Sequence, residues 1–177
     1  GIEANTGSLG MGISKAKGFL WAKKYLKKRG SVIVLTGDGE FQEGQIFEAL
    51  QTVAHQKLND LIVIMDHNKI QSSQYVKKII DLLDLKRKIK SFGWHVERCD
   101  GHNFKKIEKI FKKLSKIKNK PKFIIADTVK GKGVHFMEHT KVMKSNKYYN
   151  WHAGAPSKNN FQKAQLILLK KIEFFQK

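Results

Sequence analysis

The 177-residue chain carries one cysteine, Cys99, so it has no internal disulfide framework, and this fits a reducing, cytoplasmic setting. No apolar run approaches the roughly 20 residues needed to cross a bilayer, and no secretory leader is visible, so no membrane association is expected. The chain starts at Gly1 rather than Met, which suggests that it is N-terminally incomplete. Neither an internal repeat nor a linker divides it, and residues 1–177 are expected to form one domain.

Arginine is also scarce: of 35 basic residues only Arg29, Arg87 and Arg98 are arginines, against 15 acidic residues and a formal net charge of +20. So basic a chain raises nucleic acid as a partner. Base and phosphate recognition, however, favours the planar arginine fork. The lysines fall instead on helix exteriors: Lys105, Lys106, Lys109, Lys112, Lys113 and Lys116 interleave with an inward stripe of Ile107, Ile110, Phe111 and Leu114. The expectation is a solvated face with nonspecific polyanion affinity at low salt and no specific nucleic-acid partner.

What the sequence does have is concentrated between Ser31 and Ile70. Two short apolar, β-branched runs, Val32 to Leu35 and Leu61 to Met65, read as buried strands. The first stops at Gly37-Asp38-Gly39 and the second at Asp66-His67-Asn68. Between them, Gln42 to Lys57 carries Ile46, Phe47, Leu50, Val53 and Ala54 at helical spacing. A strand, helix, strand crossover makes the strands parallel, so Asp38 and Asn68, 30 positions apart, emerge at one carboxyl edge, where open α/β sheets bind ligands. An Asp oxygen, an Asn oxygen and a backbone carbonyl, that of Ile70, are hard ligands of the kind Mg²⁺ or Ca²⁺ accepts while keeping phosphate oxygens. Gly39 leaves room for a diphosphate, and the following helix points free N–H groups toward it. The simpler alternative is a strand-to-helix turn in which Asp38 is only a cap and Asn68 sits in another turn.

Upstream, Asn5 and Thr6 precede a glycine-punctuated turn with Gly7, Gly10 and Gly12, then an amphipathic helix that Gly30 ends. Downstream come a polar segment, a helix running up to Gly93, a strand from Trp94 to Arg98, a helix over about 104 to 118, and a strand from Phe123 to Asp127. Thr128 to Gly133 reads as a mobile basic loop that closes over an anion, or simply as a turn. Residues 134–156 are rich in His and aromatics without periodicity; His135, His139 and His152 match no standard zinc spacing. A final helix covers about Asn159 to Phe175. This alternation predicts an α/β, doubly wound, mostly parallel sheet with helices on both faces.

GDG followed one crossover later by Asn resembles the thiamine diphosphate-binding motif. IEANTGSLGMGIS, GDGEFQEGQIFEA, IVIMDHNKIQ, FGWHVERCDGHN, TVKGKGVHFME and WHAGAP occur in the order seen in transketolase-type enzymes. Nearly the whole chain resembles the thiamine diphosphate-binding (PP) domain of that family, in particular its separately encoded N-terminal subunits. The resemblance implies that Asp38, Asn68 and the Ile70 carbonyl bind Mg²⁺, with Ca²⁺ as an alternative. It implies that Gly37, Gly39 and Glu40 belong to the diphosphate contact, that Gly7 and Leu9 line the cofactor, and that Glu43 and Glu48 lie at a dimer interface. His152 matches a histidine near the reacting carbons, although WHAGAP is one residue longer than the family's usual HGAP.

The implied activity is transfer of a two-carbon ketol unit between sugar phosphates with Mg²⁺ and thiamine diphosphate. The motifs that the family carries upstream of Gly1 are absent here, and so is the pyrimidine-binding domain whose glutamate activates the cofactor. The chain is therefore expected to act only with a C-terminal transketolase subunit, in a homodimer or heterotetramer. Deoxyxylulose phosphate synthase and two-oxoacid dehydrogenase subunits share GDG and Asn. A lysine-rich polyanion-binding domain is the nonenzymatic alternative.

Overall fold

The computed structural model describes residues 2–5 and 7–175; Gly1 and Thr6 lie outside the described residues. Four parallel strands form the sheet: β1 (Val32–Gly37), β2 (Leu61–His67), β5 (His95–Asp100) and β6 (Lys122–Asp127), in the order β1-β2-β6-β5. Val32 pairs with Leu61 and Gly37 with Asp66, so β1 and β2 end level with each other. The connections run over both faces, as the expected doubly wound pattern requires.

Strand alternation divides the core in two. Leu61, Val63 and Met65 of β2 and Phe123 and Ile125 of β6 face α1 (Met11–Tyr25), α2 (Gly44–His55) and α4 (Leu85–Ser91) in the larger cluster. Phe41, Phe123 and Trp94 pack there edge to face. The Trp94 indole donates to the Leu50 carbonyl at 2.9 Å, so its one polar atom is satisfied. Ile62, Ile64 and Ile124 face the other way and meet Ile110, Phe111 and Leu114 of α5 (Phe104–Leu114). The lysines of α5 stay outside this stripe.

Two stretches differ from the sequence expectation. The polar segment after Asn68 contains a small antiparallel hairpin, β3 (Ile70–Gln71) and β4 (Gln74–Tyr75), turned at Ser72 with φ +51°. The helix expected to continue up to Gly93 is broken: a single turn, α3 (Val76–Ile79), is followed by irregular chain that begins extended at Ile80, and α4 starts only at Leu85. The aspartates cause the break. Asp81 Oδ1 accepts the Leu83 N–H at 2.9 Å, and Asp84 Oδ1 caps α4 at the Arg87 N–H at 3.0 Å. Each offers the backbone a local partner in place of a helical carbonyl. Farther on, α6 (His139–Ser145) lies within the segment that showed no periodicity, and α7 (Lys158–Phe175) closes the described chain.

Candidate functional site

β1 delivers Gly37-Asp38-Gly39 to the carboxyl edge, where the chain enters a 3₁₀ turn over Gly39–Gln42. Asp38 caps that turn: Oδ1 accepts the Gly39 N–H at 2.8 Å, while Oδ2 accepts the N–H of Lys69. The second bond ties the end of β1 to the turn after β2, which Lys69 makes at φ +69°. Asp38 is only 1% exposed and forms no ion pair among the described residues. Burial pushes its carboxyl up from the usual carboxylate range, partly offset by the Lys69 and Gly39 amides. A buried carboxyl without a counter-charge is what a cation site needs.

Asn68 is also buried. Its Oδ1 accepts the Ile70 N–H at 3.0 Å, and its Nδ2 donates to Asp66 Oδ2 at 3.0 Å. Thr128, just past β6, donates its hydroxyl to the other Asp66 oxygen. The ends of β1, β2 and β6 are thus joined through carboxylate and carboxamide groups. Asp38, Asn68 and Ile70, the three proposed ligands, come together here. Among the described residues no three His, Cys, Asp or Glu side chains are placed to hold a metal. A cation at Asp38 would draw on amide, carbonyl, phosphate and water oxygens, the environment Mg²⁺ favours.

The glycine-punctuated segment is brought alongside by a group whose role the sequence did not reveal. The Glu40 carboxylate accepts the Gly10 N–H at 2.7 Å and the Gly37 N–H at 3.1 Å. Gln45 donates to the Leu9 carbonyl at 2.6 Å. Gly10 needs its missing side chain: φ is +80°, and a Cβ would lie 2.8 Å from Gln45 Nε2. Gly7 and Leu9 remain exposed beside this clamp. The space over Gly39 is filled, because a Cβ there would lie 2.8 Å from Gln71 Cγ. The Gly39 N–H is engaged by Asp38 rather than free.

At the β5 and β6 ends a second polar cluster forms that sequence reading also missed. Asp127 Oδ2 accepts from Arg98 Nε at 2.6 Å, and Oδ1 accepts from Arg98 Nη2 at 2.7 Å and from His67 Nδ1 at 2.8 Å. The Arg98 fork, with His67, holds the Asp127 carboxyl down at about 2.

The basic loop beyond it is braced on itself. His139 Nδ1 accepts the Lys130 N–H at 3.0 Å, Tyr149 Oη donates to the Met137 carbonyl at 2.9 Å, and Lys171 Nζ donates to the Gly133 carbonyl at 2.6 Å. Burial pushes the His139 imidazole down from its usual range, helped by Lys69, which suits its role as an acceptor. Tyr149 also donates its N–H to the Ser73 carbonyl at 2.7 Å, so loop and hairpin share one post.

His152 is exposed and follows Trp151, which packs against the cluster of Ile70, Val142 and Tyr149. That anchors its backbone on the Ile70 side of the sheet edge. Glu43 and Glu48 are exposed, while Ile46, Ala49, Leu50 and Val53 of the same helix are buried within the chain. A cavity of about 440 Å³ lined by Lys86, Lys90, His95, Glu97, Lys113 and Lys120 lies at the start of β5, away from the Asp38 edge.

Residues 1–148 match the family described as "Transketolase, thiamine diphosphate binding domain". Over all 177 residues the chain is 34% identical to one of the subunits of apulose-4-phosphate transketolase from Phocaeicola vulgatus, covering 60% of that protein. Over 138 residues, 78% of the chain, it is 39% identical to 6-deoxy-6-sulfo-D-fructose transketolase subunit SqwG of a Clostridium species, covering 50% of it. The chain thus spans half to three-fifths of the length of these relatives. In fold it resembles the crystal structure of transketolase from Campylobacter jejuni, with a TM-score of 0.73 at 24% identity, over 99% of this chain and 32% of that one. The parallel sheet that sets GDG beside Asn68, and the match over residues 1–148, make this chain a member of the transketolase family, within its thiamine diphosphate-binding domain.

Proposed function

We propose that the chain is the thiamine diphosphate- and Mg²⁺-binding part of a transketolase that moves a two-carbon ketol unit between sugar phosphates, working in the cytoplasm with a second chain that carries the pyrimidine-binding domain. The observation that carries this reading is the Asp38 link, which holds the GDG turn and the Asn68 turn together around a buried, uncompensated carboxyl. Two of the relatives are named as subunits of transketolases acting on ketose derivatives, which supports both the split arrangement and the substrate class.

When bound, thiamine diphosphate supplies a nucleophilic ring carbon that takes a two-carbon unit from a ketose and yields it to an aldose. In this reading Asp38, the Asn68 carboxamide oxygen and the Ile70 carbonyl hold the cation that anchors the diphosphate. The Glu40 clamp holds Gly7 and Leu9 beside that anchor. His152 exchanges a proton with a substrate hydroxyl oxygen. The exposed acidic residues Glu43 and Glu48 face the partner, where such carboxyls need a donor or a shared proton.

The test is to mix the chain, with any upstream sequence restored, with its complementary subunit and follow two-carbon transfer from a ketose phosphate to an aldose phosphate. Turnover should require both chains, Mg²⁺ and thiamine diphosphate. Turnover by the 177-residue chain alone, or none from the mixture with any common sugar phosphate, contradicts the proposal.

A further inference from the structure

We infer that Gln71 is an additional cofactor-binding residue whose side-chain NH₂ donates to the diphosphate group; this rests on the function proposed above. Gln71 directly follows Ile70 in β3, and its stem lies against Gly39. A Cβ built on Gly39 would sit 2.8, 3.0 and 3.1 Å from its Cγ, Cβ and Cδ. The carboxamide is therefore held at the GDG turn by packing. Hydrogen bonding does not hold it there. Its Oε1 is buried and accepts nothing among the described residues. Folded proteins seldom keep such an orphan unless the group serves another purpose.

The surroundings show what that purpose is. An anionic diphosphate needs N–H donors, and four amides of this edge are already committed. The Gly10 and Gly37 N–H groups go to Glu40, and those of Gly39 and Lys69 go to Asp38. Asp38, Glu40 and Asp66 also make the edge acidic. A cation offsets that charge, and the phosphate oxygens it does not take still call for neutral N–H donors. Gln71 supplies two neutral N–H groups with no protein acceptor among the described residues. It adds no charge that would compete with the cation.

The experiment titrates thiamine diphosphate, at saturating Mg²⁺, into the chain assembled with its complementary subunit, reading heat of binding. Wild type is compared with Gln71→Leu and Gln71→Glu, and the cofactor-free thermal midpoint of each chain is measured alongside. Gln71→Leu is expected to weaken binding about tenfold, the effect of one lost hydrogen bond, with an unchanged or higher midpoint because a buried orphan has gone. Gln71→Glu has the same shape but lacks the donors and adds negative charge, so it should bind more weakly still. Equal binding by all three overturns the inference while leaving the proposed function standing. So does a Gln71→Glu variant that binds like wild type, or a Gln71→Leu variant whose lower affinity comes with a lower cofactor-free midpoint. Failure of the wild-type assembly to bind the cofactor overturns both.

Discussion

Asp127 shows how a single residue can organise a strand end that no motif marks. Its two oxygens bind Arg98 and His67, so residues of β6, β5 and β2 meet at one carboxylate. Because the folded carboxyl titrates at about 2, below its unfolded value near 4, the stabilisation is fully present above about pH 4 and is lost as pH falls toward 2. Asp127→Asn should lower stability at pH 7 by on the order of 1 kcal/mol, since the pair is partly solvated. Urea denaturation of both proteins should show the gap closing between about pH 4 and pH 2.

His139 loses its contribution in the same direction but in a higher pH window. Its folded imidazole is pushed down and accepts the Lys130 N–H in the neutral form, so the stability it brings is present at high pH and falls as pH drops below about 6.5. The protection of the Lys130 amide against hydrogen exchange, relative to its intrinsic rate at each pH, should fall through that range. His139→Gln, which keeps an acceptor without a titrating ring, should remove the pH dependence; an unchanged profile would show that the brace is not what protects the loop. The sequence showed this loop's charge but not its bracing. Gly131 needs its φ of +79° and has no room for a Cβ, which would meet the Met137 carbonyl at 2.2 Å. Such constraints come from residues brought together by folding. Asp38 and Asn68 were legible for a different reason: a parallel crossover fixes where both strands end, whatever the rest of the chain does.

At the scale of elements, the four sheet strands and the helices between them followed from short β-branched runs and 3.6-residue periodicity. The break over 80–84 did not. Ile79, Ile80, Leu82, Leu83, Leu85 and Ile89 look helical by spacing, yet Leu82 and Leu85 are buried from separate segments, and Leu83 turns at φ +55°. Here two Asx contacts outweigh apolar periodicity. Asp84→Ala should cost about 1 kcal/mol, typical of a lost N-cap. Asp81→Ala should cost less, because its contact lies in an exposed turn. Urea midpoints of the two variants check the order. The β3–β4 hairpin was beyond reach because two residues per strand carry no alternation to read.

The whole molecule leaves substantial apolar surface uncovered. Ile33 and Leu35 on edge strand β1 are 56% and 74% exposed, and Trp21, Phe161, Leu166 and Ile172 lie open on α1 and α7. Side chains of this size left open in such number offer apolar surface that a partner could cover. This agrees with a chain that spans half to three-fifths of its relatives. Addition of the complementary subunit should therefore raise the thermal midpoint, and light scattering should show a defined complex; two species that stay separate would contradict the proposed assembly. The net charge of +20 is assigned no role in this function, so nucleic-acid binding should weaken steeply with salt and show no sequence preference.

In the proposed function Asp38 anchors thiamine diphosphate through a divalent cation, and calorimetric titration of the assembled protein probes that anchor itself. Wild type should bind thiamine diphosphate only with Mg²⁺ present. Asp38→Ala, with its sheet intact by circular dichroism, should bind at least about a hundredfold more weakly, because Asp38 is the one charged group among the three proposed cation ligands. Wild-type affinity in Asp38→Ala, or cofactor binding that ignores the divalent ion, would contradict this assignment.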